Sequence, residues 1–225
     1  DASTPTVGGK RPRSPRGSGE GGGEPARRAL HLFSGPKGRP DGLAACLRAR
    51  GWVVDEMDSG KVPGHEDDLL RDDVFFRVLG QAEHGCWKAT VEGIPCTTFS
   101  VARFKPGGAP VVRRHSKGQS RGLRFEAFEQ LPAASKLEAE QANELAWRAA
   151  AIAAAVQRSG GVFIVENPVD RNGPVAEMLG LSFQMPEHVS LWQLAEMREL
   201  QSLTGGELVH FPQCALGGRA QKWTT

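Results

Sequence analysis

The chain has 225 residues, 39% hydrophobic and 24% charged, which suits one globular domain with or without a tail. It holds no apolar run of about 18 residues that would span a membrane, and the stretch from Asp1 has no apolar core of a secretory signal. The net charge of +2 gives no global attraction to nucleic acid, and Cys46, Cys86, Cys96 and Cys214 are too few for a disulfide scaffold.

These features predict an intracellular protein, nuclear in a eukaryote and cytoplasmic otherwise. A chain that opens on Asp rather than Met reads as a piece of a longer parent with further domains. Residues 1–28 hold seven Gly, four Pro and six Lys or Arg, with almost no large apolar side chains. Such a stretch buries too little surface to offset its ordering entropy, so it reads as a disordered tail or linker. Residues 29–225 read as one domain, incomplete at its C-terminal side.

From Ala29 onward, strand and helix patterns alternate. Ala29 to Phe33 reads as a buried strand stopping at Ser34-Gly35, and Asp41 is placed to cap a helix carrying Leu43, Ala44 and Leu47. Trp52-Val53-Val54 is a second strand that ends in Asp55-Glu56-Met57-Asp58. A short amphipathic helix is predicted around Leu69 to Leu79, and a strand over Lys88 to Ile94 leads into Pro95-Cys96. Ser135 and Glu138 have capping-box spacing. After them Ala142, Leu145, Ala149, Ile152, Ala153 and Val156 recur at helical period up to Gly160-Gly161. Val162 to Val165 is the next strand, ending at Glu166-Asn167-Pro168, and a last strand is expected over Glu207 to Phe211. Nearly continuous apolar strands alternating with helices predict an α/β fold with a mostly parallel, doubly wound sheet covered on both faces.

In such sheets ligands bind beyond the carboxyl ends of strands, where strand order reverses. The chemically unusual residues fall at those ends: Phe33-Ser34-Gly35 with Gly38, Glu56, Pro95-Cys96, and Glu166-Asn167. Each has a plainer reading. Gly35 and Gly38 serve any tight turn, Glu56 and Glu166 any exposed strand end, and Cys96 any small buried apolar position. An acid ending the second strand is also suited to accept both hydrogen bonds of a ribose diol.

Gly93-Ile94-Pro95-Cys96-Thr97-Thr98-Phe99-Ser100 resembles the Pro-Cys loop of the cytosine-C5 DNA methyltransferases, where Gly-x-Pro-Cys-Gln-x-Phe-Ser carries the nucleophile. Leu32-Phe33-Ser34-Gly35 resembles their first motif, Asp55-Glu56-Met57-Asp58 their second, Asp72 or Asp73 followed by Val74 their third, and Glu166-Asn167-Pro168 their Glu-Asn-Val motif. The order is the family order, over roughly Ala29 to Asn167. The resemblance implies a Rossmann-like S-adenosylmethionine-dependent methyltransferase fold. It implies S-adenosyl-L-methionine held by Phe33, Ser34, Gly35, Gly38, Glu56, Asp73 and Pro95. It further implies Cys96, Glu166 and Asn167 as catalytic residues on a cytosine flipped from DNA, with RNA the less favoured substrate.

Cytosine C5 is a poor nucleophile until a thiolate adds to C6. A free thiol, with a pKa of about 8.5, is only a few per cent ionised at neutral pH, so a helix N-terminus or a cation near Cys96 is expected. From Arg103 to Arg124 the chain has seven Lys or Arg and no acid up to Arg124. Arg103, Lys105, Arg113, Arg114, Lys117 and Arg121 are accordingly expected to meet phosphates.

The sequence departs from the family at Lys37, where a second glycine is usual, at Thr97 in place of Gln, and at Pro168 in place of Val. Nothing after Asn167 matches the family's Gln-x-Arg-x-Arg motif. A methyltransferase-fold nucleic-acid-binding module without catalysis is therefore the alternative. His84-Gly85-Cys86 and Cys96 lack paired zinc-ligand spacing, so no metal is expected. A cysteine hydrolase would need His188 or His210 beside Cys96.

Overall fold

The computed structural model describes residues 26–62, 66–113, 131–172, 174–181, 185, 187–213 and 223–225. The expected tail, apart from its last three residues, lies outside them. The described elements are β1 (Arg28–Leu32), α1 (Leu43–Arg48), β2 (Val53–Met57), α2 (Asp72–Glu83), β3 (Ala89–Glu92), α3 (Ala133–Arg158), β4 (Val162–Val165), α4 (Pro174–Met178), α5 (Ala195–Thr204), β5 (Phe211–Pro212) and β6 (Trp223–Thr224).

Four strands form one sheet in the order β2-β1-β3-β4, every pair parallel. This α/β architecture agrees with the Rossmann-like class expected from the sequence. The chain steps outward from β1 to β2, then returns across β1 to β3 and on to β4. The order therefore reverses between β1 and β3, and right-handed crossovers place α1 on one face and α2 and α3 on the other.

The α2–α3 face holds the main core. Leu30 and Leu32 of β1 pack with Met57, Val74, Phe75, Val78, Ile152 and Val156, all buried. Further along α3, Ala146, Ala149, Ala150 and Ala153 meet Leu191, Leu194, Met197 and Leu200 of the α5 region. Alanine supplies both high helix propensity and the short side chains that let α5 approach closely. A bend after α3 brings Gly161 against it, where an added Cβ would lie 2.7 Å from a Val156 methyl and 3.1 Å from the Trp87 carbonyl. Only glycine fits this entry to β4.

Several expectations need correction. Ser135 and Glu138 do not form a capping box: α3 already starts at Ala133, behind Pro132, with no side-chain cap. Asp41 does not cap α1, whose N-cap is Gly42. The last strand is only Phe211–Pro212, paired antiparallel with β6 rather than added to the main sheet. The sheet is not covered on both faces at β4, where Val162 and Ile164 are exposed. Six-residue α1 is too short to reach across from β2. Among the described residues no helix is long and apolar enough to cross a membrane.

Arg148 locks this frame from within α3. Its guanidinium bonds the Leu69 carbonyl at 2.8 Å and the carboxylates of Asp72 and Glu144 at 2.6 Å, with Phe75 stacked 4.8 Å away. The loop entering α2 is thereby pinned to α3.

Candidate active site

The switch point between β1 and β3 is built on an unusual backbone. Phe33, directly after β1, has φ +57°, a left-handed conformation costing a bulky residue about 1–2 kcal/mol. Its ring packs into both core clusters, which offsets that strain. Gly35 follows at φ +72°. Its N–H donates to Asp58 Oδ2 at 2.7 Å, while Asp58 Oδ1 accepts from Ser59 N–H at 2.7 Å. One carboxylate thus ties the turn after β1 to the end of β2.

A crevice of about 170 Å³ opens here, lined by Phe33, Asp58, Lys61, Asp68, Pro95 and Glu138 among others. Glu138 is paired with Arg103, which leaves the carboxylates of Asp58 and Asp68 beside the Lys61 ammonium and a modest acidic excess. The structure therefore brings together Phe33 and Pro95 from the expected cofactor set, with Ser34 and Gly35 in the adjoining turn.

Glu56 and Asp73 are not in it. Side chains alternate along a strand, and Glu56 shares the face of His31, its register partner, toward α1. There its carboxylate is held by Arg48 at 2.6 Å. Asp73 stands exposed on α2, paired with Arg71 at 2.7 Å, whose hydrogen bond draws its pKa down. Gly38, at φ +75°, belongs to the turn leading toward α1 and does not line the crevice. The acids that line the crevice are Asp58, Asp68 and Glu138. Their signals were an acid two residues beyond Glu56, where the strand has ended, and an Asp-Leu pair just before the amphipathic helix. Glu138 was legible only as a supposed cap.

The Pro-Cys loop runs along one rim. Cys96 is a free, half-buried thiol, and its carbonyl accepts from Phe99 N–H at 3.0 Å. Asn167, buried at the end of β4, donates from Nδ2 to the Ile94 carbonyl at 2.7 Å. Glu166 N–H bonds the Glu92 carbonyl at 2.9 Å, so the two strand ends lie side by side. The Glu166 carboxylate accepts from Thr224 Oγ1 at 3.1 Å and lines a separate groove beside β4. Asn167 thus positions the loop. An Asn167→Leu variant strands the buried Ile94 carbonyl, an expected loss of about 1–3 kcal/mol. Thermal unfolding would show it as a lower Tm, and peptide mapping after alkylation would show faster modification of Cys96.

Two of the expected phosphate ligands prove internal. Arg103 donates to the Thr97 carbonyl at 2.5 Å and the Pro110 carbonyl at 2.7 Å, and pairs with Glu138. It braces the Pro-Cys loop against α3. Arg113 is 2% exposed, lies 4.0 Å over the Phe99 ring and bonds Thr98 Oγ1 and the Ala139 carbonyl, both at 3.1 Å. Burial, reinforced by the like charge of Arg103, pushes its pKa down to about 10. Lys105 is exposed. Arg114, Lys117 and Arg121 lie outside the described residues.

His188 serves the same loop. Its Nδ1 accepts from Arg171 N–H at 3.2 Å, so Nε2 donates to the Phe99 carbonyl at 2.7 Å. Asp170 is 3.4 Å from His188. Burial works against ionisation of Asp170, but its polar surroundings, with hydrogen bonds donated by Gln193 and the Asn172 amide and the His188 ring alongside, outweigh it and hold its pKa below the usual range. His210 Nδ1 bonds Thr225 Oγ1 at 2.6 Å. Both histidines are thus engaged away from Cys96, which removes the cysteine-hydrolase geometry. Among the described residues no cluster of His, Cys, Asp or Glu could hold a metal.

Glu92, the last residue of β3, is fully buried with only Thr90 Oγ1 as donor, at 3.3 Å. Burial pushes its pKa well above the ordinary 4.5. The folded state therefore keeps a proton that the unfolded chain releases, and folding stability falls as pH rises above the ordinary value toward the folded one. Glu92→Gln should remove that fall. Denaturant titrations across pH should show its advantage over wild type growing above about pH 4.5.

Comparison of the chain with protein-family models, curated proteins and solved structures gives no match.

Proposed function

We propose that the protein is an S-adenosylmethionine-dependent methyltransferase that modifies C5 of cytosine in DNA through a covalent adduct at Cys96. The observation that carries this reading is the coincidence of an acidic crevice at the switch point with a Pro-Cys loop on its rim. S-adenosylmethionine, with its sulfonium and ammonium against one carboxylate, is net cationic and suits the acidic excess of Asp58 and Asp68 over Lys61, with Glu138 held by Arg103. The described crevice is smaller than the ~300 Å³ at which ligand clefts usually begin. A nucleoside-sized ligand therefore extends out of its mouth.

Asp58 and Asp68 are placed to accept hydrogen bonds from a ribose and an adenine amino group, and Phe33 and Pro95 to flank the adenine. When bound, the cofactor supplies an electrophilic methyl group. Cys96 adds as thiolate to C6, forming an S–C6 bond while the ring electrons shift to make C5 nucleophilic. Glu166, released from Thr224, shares a proton with cytosine N3 and offsets the charge on the ring. C5 would take the methyl group as the donor's S–CH3 bond breaks, leaving neutral S-adenosylhomocysteine; the C5 proton then passes to water, the S–C6 bond breaks and the thiolate is restored. Asn167, Arg103 and His188 keep the loop in place throughout.

A nucleic-acid-binding module without catalysis is less favoured, because Cys96 stands as a free thiol beside the crevice; the internal bonds of Arg103 and Arg113 bear on both readings alike. The test is transfer of labelled methyl from S-adenosylmethionine to cytosine-containing DNA, beside calorimetry of cofactor binding. Label recovered as 5-methylcytosine supports the proposal. Cofactor binding without label in DNA or RNA would leave the non-catalytic alternative.

A further inference from the structure

Lys61 is the sole cation among the described residues that line the crevice at the switch point. Its place is set by one of the crevice's own acids. Asp58 Oδ1 accepts from Ser59 N–H at 2.7 Å, and the Ser59 carbonyl accepts from Val62 N–H at 2.9 Å. The tight turn so formed, from Ser59 to Val62, carries Lys61 on the crevice wall. The two acids are fixed in the same way. Asp58 Oδ2 holds Gly35 N–H at 2.7 Å, and Asp68 Oδ1 holds Leu70 N–H at 2.9 Å. Lys61 differs from them: it is exposed, and among the described residues no carboxylate pairs with its ammonium.

Glu138 is matched by Arg103. The remaining charges of the lining, two carboxylates and one ammonium, therefore sum to a single negative charge. A ligand with one net positive charge neutralises it. A ligand with two overshoots, and its surplus cation meets Lys61 in a cleft where like charges repel more strongly than in water. S-adenosylmethionine is of the first kind, because its carboxylate offsets one of its two cations. The same molecule without the carboxyl group is of the second. We propose that Lys61 is the specificity-determining residue of the crevice, pairing with the carboxylate of the ligand and rejecting the decarboxylated dication. This role rests on the cofactor reading above and adds an end-group requirement that contacts to ribose and adenine do not impose. Both ligands offer the same ribose and the same adenine, so discrimination falls on Lys61.

Calorimetric titration of the intact chain with S-adenosylmethionine, its decarboxylated form and 5′-methylthioadenosine tests the assignment. Wild type should bind S-adenosylmethionine about fivefold more tightly than the decarboxylated form, the scale of a partly exposed ion pair. Raised ionic strength should shrink that preference. Lys61→Met should lose the preference or reverse it, because the two carboxylates then stand without an opposing cation, and Lys61→Arg should keep it. The uncharged 5′-methylthioadenosine, which lacks the amino-acid end, should bind all three proteins alike. An unchanged preference in Lys61→Met, or equal affinity of wild type for the two sulfonium ligands, would overturn the role of Lys61 and leave the cofactor reading standing. So would a parallel loss of all three ligands in Lys61→Met, which would make the side chain a structural one. Failure of folded wild type to bind any of the three would overturn the cofactor reading, and the role of Lys61 with it.

Discussion

Replacing Asp58 with Ala should weaken S-adenosylmethionine binding about 10- to 100-fold, whereas Glu56→Ala should leave it within about threefold. A hydrogen bond to a charged group contributes roughly 1.5–3 kcal/mol, and each 1.4 kcal/mol is a factor of ten in affinity. Asp58 carries this load twice, since the carboxylate that lines the crevice also holds Gly35 N–H and so shapes the turn beneath the ligand. Glu56 is committed to Arg48 on the opposite face. Asp58→Asn, which retains the acceptor for Gly35 but loses the charge, should fall between wild type and Asp58→Ala. Calorimetric titration of the three variants checks the order. If Glu56→Ala abolished binding and Asp58→Ala did not, the cofactor would lie on the α1 side of the sheet.

Cys96→Ala should lower the rate of cytosine methylation by a factor on the order of 10⁴ or more, the scale on which removal of a covalent nucleophile acts. Cofactor affinity should change little, because the thiol lies on the rim and not in the lining of the crevice. Stability should also hold within about 0.5 kcal/mol, as for substitutions away from core or hydrogen-bonded features. The combination of lost turnover, intact cofactor binding and an unchanged Tm separates a chemical role from a packing one. Single-turnover methylation, calorimetry and thermal unfolding on the same preparation give the three readings.

Strand identity and the parallel α/β class were legible because β1 to β4 are short apolar runs ending in glycine, acid or proline, separated by helical patterns. The period-two alternation that places Glu56 on the α1 face was equally readable. The match of Glu56 to a family motif drew the reading instead, and the structure places Asp58, two positions later, rather than Glu56 in the crevice lining. Arg103 and Arg113 show a different limit. In sequence they belong to a basic run without acids, yet the nearby carbonyls of Thr97, Pro110 and Ala139 and the carboxylate of Glu138 draw both inward. Nothing local records that Glu138 and Ala139 come from a helix more than 25 residues downstream. The exposure of β4 was hidden for a similar reason: Val162 to Val165 reads as a fully buried strand, yet Val162 and Ile164 are exposed.

Covalent capture of Cys96 on DNA containing 5-fluorocytosine, with S-adenosylmethionine present, tests the central claim most directly. Fluorine at C5 blocks the final proton loss and leaves the S–C6 bond intact. The account predicts a denaturation-resistant protein–DNA adduct that requires the cofactor, maps to the peptide containing Cys96 and disappears in Cys96→Ala. An adduct that persists in Cys96→Ala, or no adduct from wild type that binds both cofactor and DNA, would contradict it.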